Sequence, residues 1–314
     1  MSRVSVIIPA RKEKYLVDTI NDLYSQSTGQ IEVIVVLDGR AGHDYKMPEH
    51  PRLKVVQNKY PQGMRSCVND AAKVATGKYL MKIDAHCKID EDWDKVLQDD
   101  CEDNWVVIPK RFHLDAPTGD IDFDPPVWNV KIPPNGVEAM SYLYPFLHPY
   151  SPYLTCRPDR ERAEAQREEM LVKDMGFAGS CWFMTKAHFN RIGGMDAHKY
   201  GGFGQEPDEI GLKTQLGPWK GSVMRNKNIW YAHWSKPQSH WAANPVKAGR
   251  VTDEEFAAVK IVFFDYWWNN RWNDGVRDFE WLVDEFWPLP GWPKNWRWEY
   301  PQFTRYEVTV PERI

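Results

Sequence analysis

Short runs of apolar, β-branched residues alternate with amphipathic segments along the first hundred residues of the chain. Continuous apolar runs of this length predict buried strands, and apolar residues that recur every three or four positions predict helices. Residues 15–25 and 64–75 have the helical spacing, and Gly77 stands where a C-cap is expected. The predicted strands are Val4–Ile8, Ile31–Leu37, Leu53–Val56 and Tyr79–Ile83.

This alternation predicts a Rossmann-like α/β fold, in which a mostly parallel sheet with right-handed crossovers is flanked by helices. Ligands bind such sheets beyond the carboxyl ends of the strands. Asp38 and Asp84 each follow directly on a predicted strand. A binding site that includes both carboxylates is therefore expected at this edge of the sheet.

The pattern loosens after residue 105 and becomes regular again near residue 175. Residues 106–174 are rich in proline, and the charged run at 159–173 predicts an exposed helix. Strands are predicted at 175–183 and 229–234. Beyond residue 250 the apolar residues again follow a helical spacing and are mostly aromatic, which predicts an aromatic-rich helical C-terminal extension.

Composition and charge narrow the functional classes. The net charge of −4 gives no global basic field of the kind that drives nucleic-acid binding. The sequence contains no apolar stretch of about 18 residues, so no transmembrane segment is predicted. The five cysteines are scattered and form no CxxC pair, which predicts buried free thiols and a cytoplasmic location.

Tryptophan is strongly enriched, with 16 residues that lie mostly after position 218. Indole rings stack on sugar rings and on nucleobases. They also fill the core of small subdomains. Packing is the favoured interpretation for this segment, with a few exposed rings left to contact an acceptor.

The segment Asp84-Ala85-His86 carries the sharpest chemical signal. Residues two apart on an extended backbone point to the same side, so the carboxylate and the imidazole can share one divalent ion. Mixed oxygen and nitrogen ligands suit Mn²⁺, and Mg²⁺ less well. Such an ion would neutralise charge on a departing diphosphate.

Two blocks of sequence resemble known glycosyltransferases. The first resembles the nucleotide-binding half of family 2 glycosyltransferases of the GT-A fold, and its Asp84–Cys87 segment is similar to polypeptide N-acetylgalactosaminyltransferases. The second block resembles the same enzymes. The matching segments are Val4–Pro9, Glu32–Asp38, Gly77–Cys87, Phe177–Thr185, Ile192–Asp196 and Gly202–Ile210.

The resemblance implies a division of the chain into a catalytic domain of the GT-A fold and a tryptophan-rich C-terminal subdomain. The catalytic domain would have a nucleotide-binding half, a variable insertion, and a half that contacts donor and acceptor. The boundaries implied are 1–245 for the catalytic domain, with parts 1–105, 106–174 and 175–245, and 246–314 for the C-terminal subdomain.

The resemblance also implies the residues that bind the nucleotide sugar and the metal. Asp84, His86 and His233 match three metal ligands, and Lys236 matches a cation that faces the diphosphate. Arg65 matches an arginine that supports the nucleotide. The full nucleotide-sugar set is Pro9, Ala10, Arg11, Glu13, Asp38, Arg65, Asp84, Ala85, Gly179, Gly202 and Lys236.

The acidic cluster Glu206, Asp208 and Glu209 supplies the candidate catalytic residues. A carboxylate there could deprotonate an acceptor hydroxyl or bind sugar hydroxyls. Pro207 stands where inverting family 2 enzymes carry an aspartate base, so inversion and retention of configuration both stay open. The same acids could also stabilise the N-terminus of a helix over 210–216.

The sequence thus predicts a metal-dependent glycosyltransferase whose donor is a nucleotide-diphosphate sugar, with a UDP-sugar expected. The acceptor alternatives are a saccharide or glycolipid, a hydroxylated base in modified DNA, and a protein. One alternative function is a nucleotidyltransferase, although the turn Ala10–Glu13 lacks the glycines of that class. The other is a non-catalytic protein that binds nucleotide sugars.

Overall fold

The computed structural model describes residues 2–39, 46–115, 129–131, 140–147, 151–235 and 252–299. The strands are β1 (Val4–Ala10), β2 (Ile31–Leu37), β3 (Leu53–Gln57), β4 (Tyr79–Ile83), β5 (Cys87–Ile89), β6 (Trp105–Asp115), β7 (Asn129–Lys131), β8 (Met140–Phe146), β9 (Tyr153–Pro158), β10 (Leu171–Asp174), β11 (Cys181–Thr185) and β12 (Ser222–Trp234). The helices are α1 (Leu16–Ser25), α2 (Met64–Val74), α3 (Trp93–Asp99), α4 (Arg160–Ala165), α5 (Lys186–Arg191), α6 (Ala197–Tyr200), α7 (Glu206–Leu216), α8 (Asp253–Trp268), α9 (Phe279–Phe286) and α10 (Trp296–Glu299).

A ten-stranded sheet forms the centre of the molecule, with the order β10-β12-β6-β11-β4-β1-β2-β3 and with β5 and β7 paired to β12 and β6. Strands β4, β1, β2 and β3 are parallel. Strand β11 is antiparallel to β4, and β12 runs parallel to β6. This mixed α/β architecture confirms the predicted fold class.

The two faces of the parallel strands explain why the first hundred residues were predictable. Val6 and Val33 point to the face covered by α1, whereas Ile7 and Ile34 point to the face covered by α2. Both faces are shielded from water, so nearly every position of β1, β2 and β4 is apolar. Continuous apolar runs are the sequence pattern of such strands.

The prediction of a long helix at 159–173 is wrong. Helix α4 is a single short helix that Asp159 caps, since its side chain accepts from the amide of Arg162. The chain then forms the edge strand β10, which pairs with β12. Alternating exposed and buried positions make this strand too polar to be distinguished from a charged helix by pattern alone.

The predicted strand at 175–183 is wrong over residues 175–180, because β11 begins at Cys181, and the predicted role of Gly77 is also wrong. The amides of Met175 and Gly176 both donate to the carbonyl of Ser141, which holds this segment against the β8–β9 hairpin. Helix α2 ends at Val74, before Gly77. A Cβ on Gly77 would lie 2.6 Å from the carbonyl oxygen of Arg3, so the glycine permits close packing on the chain before β1.

The aromatic C-terminal helices pack on the second half of the sheet domain. Helices α8 and α9 bury Phe263, Trp267 and Leu282 against residues of α7 and of the β8–β9 hairpin. Most tryptophans of this segment are therefore core residues, in agreement with the packing interpretation. Among the helices within the described ranges, none is long and apolar enough to cross a membrane.

Candidate metal and nucleotide-sugar site

Three predicted metal ligands meet where β4 and β12 end. Asp84 follows β4 directly, and its amide donates to the carbonyl of Ser180. His86 precedes β5, and pairing of β5 with β12 places it beside His233. The Nε2 atoms of the two histidines lie 3.1 Å apart, and His233 Nε2 lies 3.2 Å from Asp84 Oδ2. The ligating atoms of all three residues lie within 4.8 Å of one another.

This geometry fits a divalent ion. Two ligands about 2.1 Å from an octahedral ion and on adjacent positions are separated by about 3 Å, which is close to the observed distance between the Nε2 atoms. One carboxylate with two imidazoles is a donor set that suits Mn²⁺ better than Mg²⁺. The three ligands of such a set would leave coordination positions for diphosphate oxygens.

Neighbouring side chains hold the ligands in place. Glu13 Oε2 lies 3.2 Å from His86 Nδ1, the carboxylate–histidine contact that leaves Nε2 available to a metal. The guanidinium of Arg111 lies 3.1 Å from His233 Nδ1. Lys82 pairs with Asp84 Oδ1, so the other carboxylate oxygen faces the histidines.

The charge states of His233 and Asp84 both favour metal binding. Burial lowers the pKa of His233 to about 4, so the ring is neutral at physiological pH. Burial opposes ionisation of Asp84, but the Lys82 ammonium and a hydrogen bond from His233 hold its pKa well below the usual range. A neutral imidazole and an ionised carboxylate are the forms that coordinate a cation.

A chain of contacts joins this cluster to the acidic loop. Lys82 Nζ also donates to the carbonyl oxygen of Gly179 over 2.6 Å. A Cβ on Gly179 would lie 3.1 Å from Pro207 Cδ, so the glycine allows the start of α7 to approach the metal cluster. The predicted metal ligands and the predicted acidic residues are thus brought together in one region.

Glu209 and Arg65 form a buried ion pair with 0% exposure of either side chain. Arg65 Nε lies 2.9 Å from Glu209 Oε2, and Lys213 Nζ lies 2.7 Å from Glu209 Oε1. Arg65 also donates to carbonyl oxygens of Gly201 and Gly204. These contacts fix the glycine loop and α7 to α2, and they leave neither charged group exposed to a ligand.

Glu206 and Asp208 differ in how their carboxylates are bound. Glu206 Oε1 accepts from the amide of Gly204 over 2.8 Å, and Asp208 Oδ2 accepts from Gln205 Nε2 over 2.6 Å. Asp208 Oδ1 is buried and has no hydrogen-bond partner within the described part of the chain. Burial first, and then the charge of Glu206, raise the pKa of Asp208 to about 7. All three acids stand in the first turn of α7, as the helix interpretation predicts.

The predicted nucleotide residues lie at the ends of β1 and β2. The amide of Asp38 donates to the carbonyl of Ala10 over 2.8 Å, which places Pro9, Ala10 and Arg11 beside it. Asp38 is buried, and its two oxygens accept from the amides of Gln62 and Gly63 over 2.7 and 2.9 Å.

Gly202 and Ala85 complete the nucleotide-sugar set within the described residues. Gly202 faces Gly63, since a Cβ on Gly63 would lie 2.3 Å from the Gly202 Cα. Ala85 is buried between the ligands Asp84 and His86. Lys236 lies outside the described residues.

Sequence reasoning missed Lys82 and Arg111, which contact two of the proposed ligands. A signal for Lys82 was present, because a lysine interrupts an otherwise apolar strand whose positions are all buried. A charged residue at such a position is rarely buried without a partner. Arg111 gave no comparable signal, since β6 alternates between buried and partly exposed positions at that end.

Comparison with known proteins places this architecture among glycosyltransferases. Residues 5–150 match the sequence model of the family described as glycosyl transferase family 2. Polypeptide N-acetylgalactosaminyltransferase 3 from Mus musculus and from Homo sapiens are each 26% identical over 204 residues, which cover 61% of this chain and 31% of each relative. The match therefore spans about a third of the length of these relatives.

Among solved structures, the chain is similar to GalNAc-T7 with UDP, GalNAc and Mn²⁺. The TM-score is 0.63 at 16% identity, over 86% of this chain and 50% of that one. The resemblance inferred from the sequence motifs is confirmed, and the fold is that of GT-A glycosyltransferases.

Proposed function

We propose that this chain is a metal-dependent glycosyltransferase that uses a nucleotide-diphosphate sugar; the match of residues 5–150 to glycosyl transferase family 2 and the GT-A fold support this proposal. The observation that carries the proposal is the convergence of Asp84, His86 and His233 at the sheet edge, next to the start of α7. Mn²⁺ is the ion that this donor set fits best, and Mg²⁺ is the alternative.

Each side chain around the metal cluster has a proposed role. Asp84, His86 and His233 would hold the ion, and Glu13 orients His86. Lys82 keeps Asp84 ionised and turned toward the histidines. The bound ion supplies positive charge that stabilises a departing nucleoside diphosphate.

The nucleotide would lie along the turn after β1, near Pro9, Ala10 and Arg11. Asp38 acts there mainly by holding the loop at Gln62, because both its carboxylate oxygens are occupied by backbone amides. Arg65 likewise has a structural role, because its guanidinium is bound by Glu209 and by carbonyl oxygens of the glycine loop. Lys236 remains the proposed cation for the diphosphate. A UDP-sugar is the proposed donor, and the presence of UDP in the GalNAc-T7 structure supports this choice.

The acceptor hydroxyl is proposed to approach beside Pro207, between Glu206 and Asp208. Glu209 serves to position α7, because its carboxylate is already shared by Arg65 and Lys213. Saccharides and glycolipids come first among the acceptors, followed by hydroxylated bases in modified DNA and by proteins. Retention and inversion would be distinguished by the anomeric configuration of the product.

A screen of UDP-, GDP- and dTDP-sugars with Mn²⁺ tests the proposal. Wild type is expected to release free nucleoside diphosphate slowly from one donor, and Asp84→Ala is expected to lose this activity together with Mn²⁺ binding. Asp70→Ala is the matched control, since Asp70 is a surface residue that pairs with exposed Lys73. If wild type binds Mn²⁺ and nucleotide sugars but never hydrolyses or transfers them, the non-catalytic alternative replaces this proposal.

A further inference from the structure

A pocket lies at the C-terminal end of the described chain, lined by residues of α9, of α10 and of the segment between them. Its volume is about 440 Å³, within the range of about 300–1,000 Å³ that is typical of small-molecule sites. None of its lining residues belongs to the central sheet or to the residues discussed above. The lining residues are Asp284, Trp287, Lys294, Asn295, Trp296, Arg297 and Trp298.

Trp298 is the unusual member of this set. It is 83% exposed, whereas Trp292 and Trp296 next to it in the chain are buried. An indole left in water loses the favourable transfer free energy that its neighbours gain on burial. A ligand that covers the exposed ring would recover this free energy.

The ring is presented from a rigid base. Trp296 packs edge-on against Trp292 with ring centroids 5.7 Å apart. The indole of Trp292 donates to the carbonyl oxygen of Leu143 over 3.2 Å, which fixes this segment to the β8–β9 hairpin. The amide of Trp298 donates to the carbonyl oxygen of Asn295. An immobilised aromatic surface loses little conformational freedom when a ligand binds.

Polar groups stand beside the exposed ring. Arg297 forms an ion pair with Asp284 across the pocket, and its guanidinium lies 4.7 Å from the centroid of the Trp296 ring. Lys294 and Asn295 add donors and an acceptor. An aromatic face bordered by hydrogen-bonding side chains matches a sugar ring, whose C–H face is apolar and whose rim carries hydroxyl groups.

The charge of the pocket favours a neutral ligand over a polyanion. Two cations and one carboxylate line it, so its formal net charge is +1, and the whole chain carries −4. Nucleic-acid sites require several cations to neutralise successive phosphates. We propose that this pocket binds a saccharide, as a binding site separate from the donor site of the glycosyltransferase proposed above.

Direct binding tests the pocket without any turnover. The full chain would be applied to a glycan array, and its binding to maltotriose, cellotriose and chitotriose would be followed by saturation-transfer NMR. Trp298→Ala is expected to weaken the saccharide binding seen for wild type by about tenfold or more, and Trp298→Phe to restore part of it. Trp281→Ala is the matched control, because Trp281 is a partly exposed tryptophan outside the pocket that contacts Arg277.

Donor hydrolysis in the absence of acceptor separates this inference from the proposed function. Trp298→Ala should hydrolyse the donor at the wild-type rate, because Trp298 is not among the residues proposed to bind the metal or the donor. If wild type hydrolyses no donor but its saccharide binding depends on Trp298, the result contradicts the proposed enzymatic function and supports the proposed saccharide pocket. The inference is overturned if wild type binds no saccharide, if Trp298→Ala binds as wild type does, or if the variant loses binding to single-stranded DNA instead.

Discussion

At the scale of single residues, Lys82 shows how charge is distributed around the metal cluster. Its side chain is 1% exposed, and it contacts both Asp84 and the carbonyl of Gly179. The sequence spacing was sufficient to predict Asp84 and His86 as a pair, and the family resemblance added His233. The sequence could not identify Lys82 as a neighbour of these residues, because tertiary packing determines which groups surround a buried charge.

Replacement of Lys82 by methionine should reveal a competition between the lysine and the metal. Lys82→Met leaves the Asp84 carboxylate without its cation, so a loss of about 3 kcal/mol in unfolding free energy is expected. Mn²⁺ should then raise the Tm of the variant more than that of wild type, because the ion replaces the missing positive charge. Lys88→Met, which breaks the separate pair with Asp22, is the control. An Mn²⁺-dependent rise in Tm no larger than in wild type would contradict this account.

Asp208 should make stability depend on pH in the direction opposite to most carboxylates. Its pKa is raised to about 7 in the folded chain, whereas an unfolded aspartate titrates near 4. Between these values only the folded state keeps the proton, so the unfolding free energy falls as pH rises from about 4 to about 7.

Asp208→Asn removes this ionisation and should exceed wild type in stability at pH 8, by about 2 kcal/mol. The difference should shrink toward pH 4, where both side chains are neutral. Urea unfolding at pH 4.5, 6 and 8 measures it, with the exposed Asp70→Asn as the control. A pH-independent difference would show that burial of Asp208 does not raise its pKa as described.

At the scale of elements, the predictability of a strand followed its environment. Strands β1, β2 and β4 are covered on both faces, so their sequences are apolar at all but one position each, and their limits were predicted to within two residues. The edge strand β10 alternates between buried and partly exposed positions, and its neighbours are charged. Its pairing with β12 is a long-range contact that local sequence does not encode.

The contact between α2 and the glycine loop offers a test at this scale. Gly63 and Gly193 both have positive φ angles, of 85° and 74°. A Cβ at Gly63 would lie 2.3 Å from the Gly202 Cα, whereas nothing lies within 4 Å of a Cβ at Gly193. Both substitutions place a side chain at a positive φ angle, and only the one at Gly63 adds a steric clash.

Gly193→Ala is expected to lower the unfolding free energy by about 1 kcal/mol through backbone strain alone. Gly63→Ala should cost at least about 2 kcal/mol more, because it forces apart two backbone segments that cannot adjust by rotating a side chain. It should also weaken donor binding, since the loop at Gly202 would be displaced. Equal stability losses for both variants, measured by urea unfolding, would show that the two segments are not in close contact.

At the scale of the whole molecule, the described residues form three large apolar cores and a small fourth cluster around Phe112. Two lie on opposite faces of the parallel strands, and the third joins α8 and α9 to α7 and to the β8–β9 hairpin. The third core contains residues from both sides of the predicted boundary at 245/246. The division at that boundary stays a prediction, and the shared core indicates that the two parts depend on each other for stability.

This dependence predicts a single cooperative unfolding transition. Phe263 is fully buried in α8 and contacts Tyr200 across the boundary, with ring centroids 5.2 Å apart. Phe263→Ala should lower the unfolding free energy of the entire chain by about 3–5 kcal/mol, and the partly buried Phe256→Ala in the same helix by much less. Tryptophan fluorescence, to which eight tryptophans on each side of the boundary contribute, and far-UV circular dichroism should show the same single transition in urea. If the unfolding splits into two transitions and Phe263→Ala moves only one of them, the C-terminal helices unfold independently, and the third core contributes nothing to the stability of the sheet that carries the metal cluster.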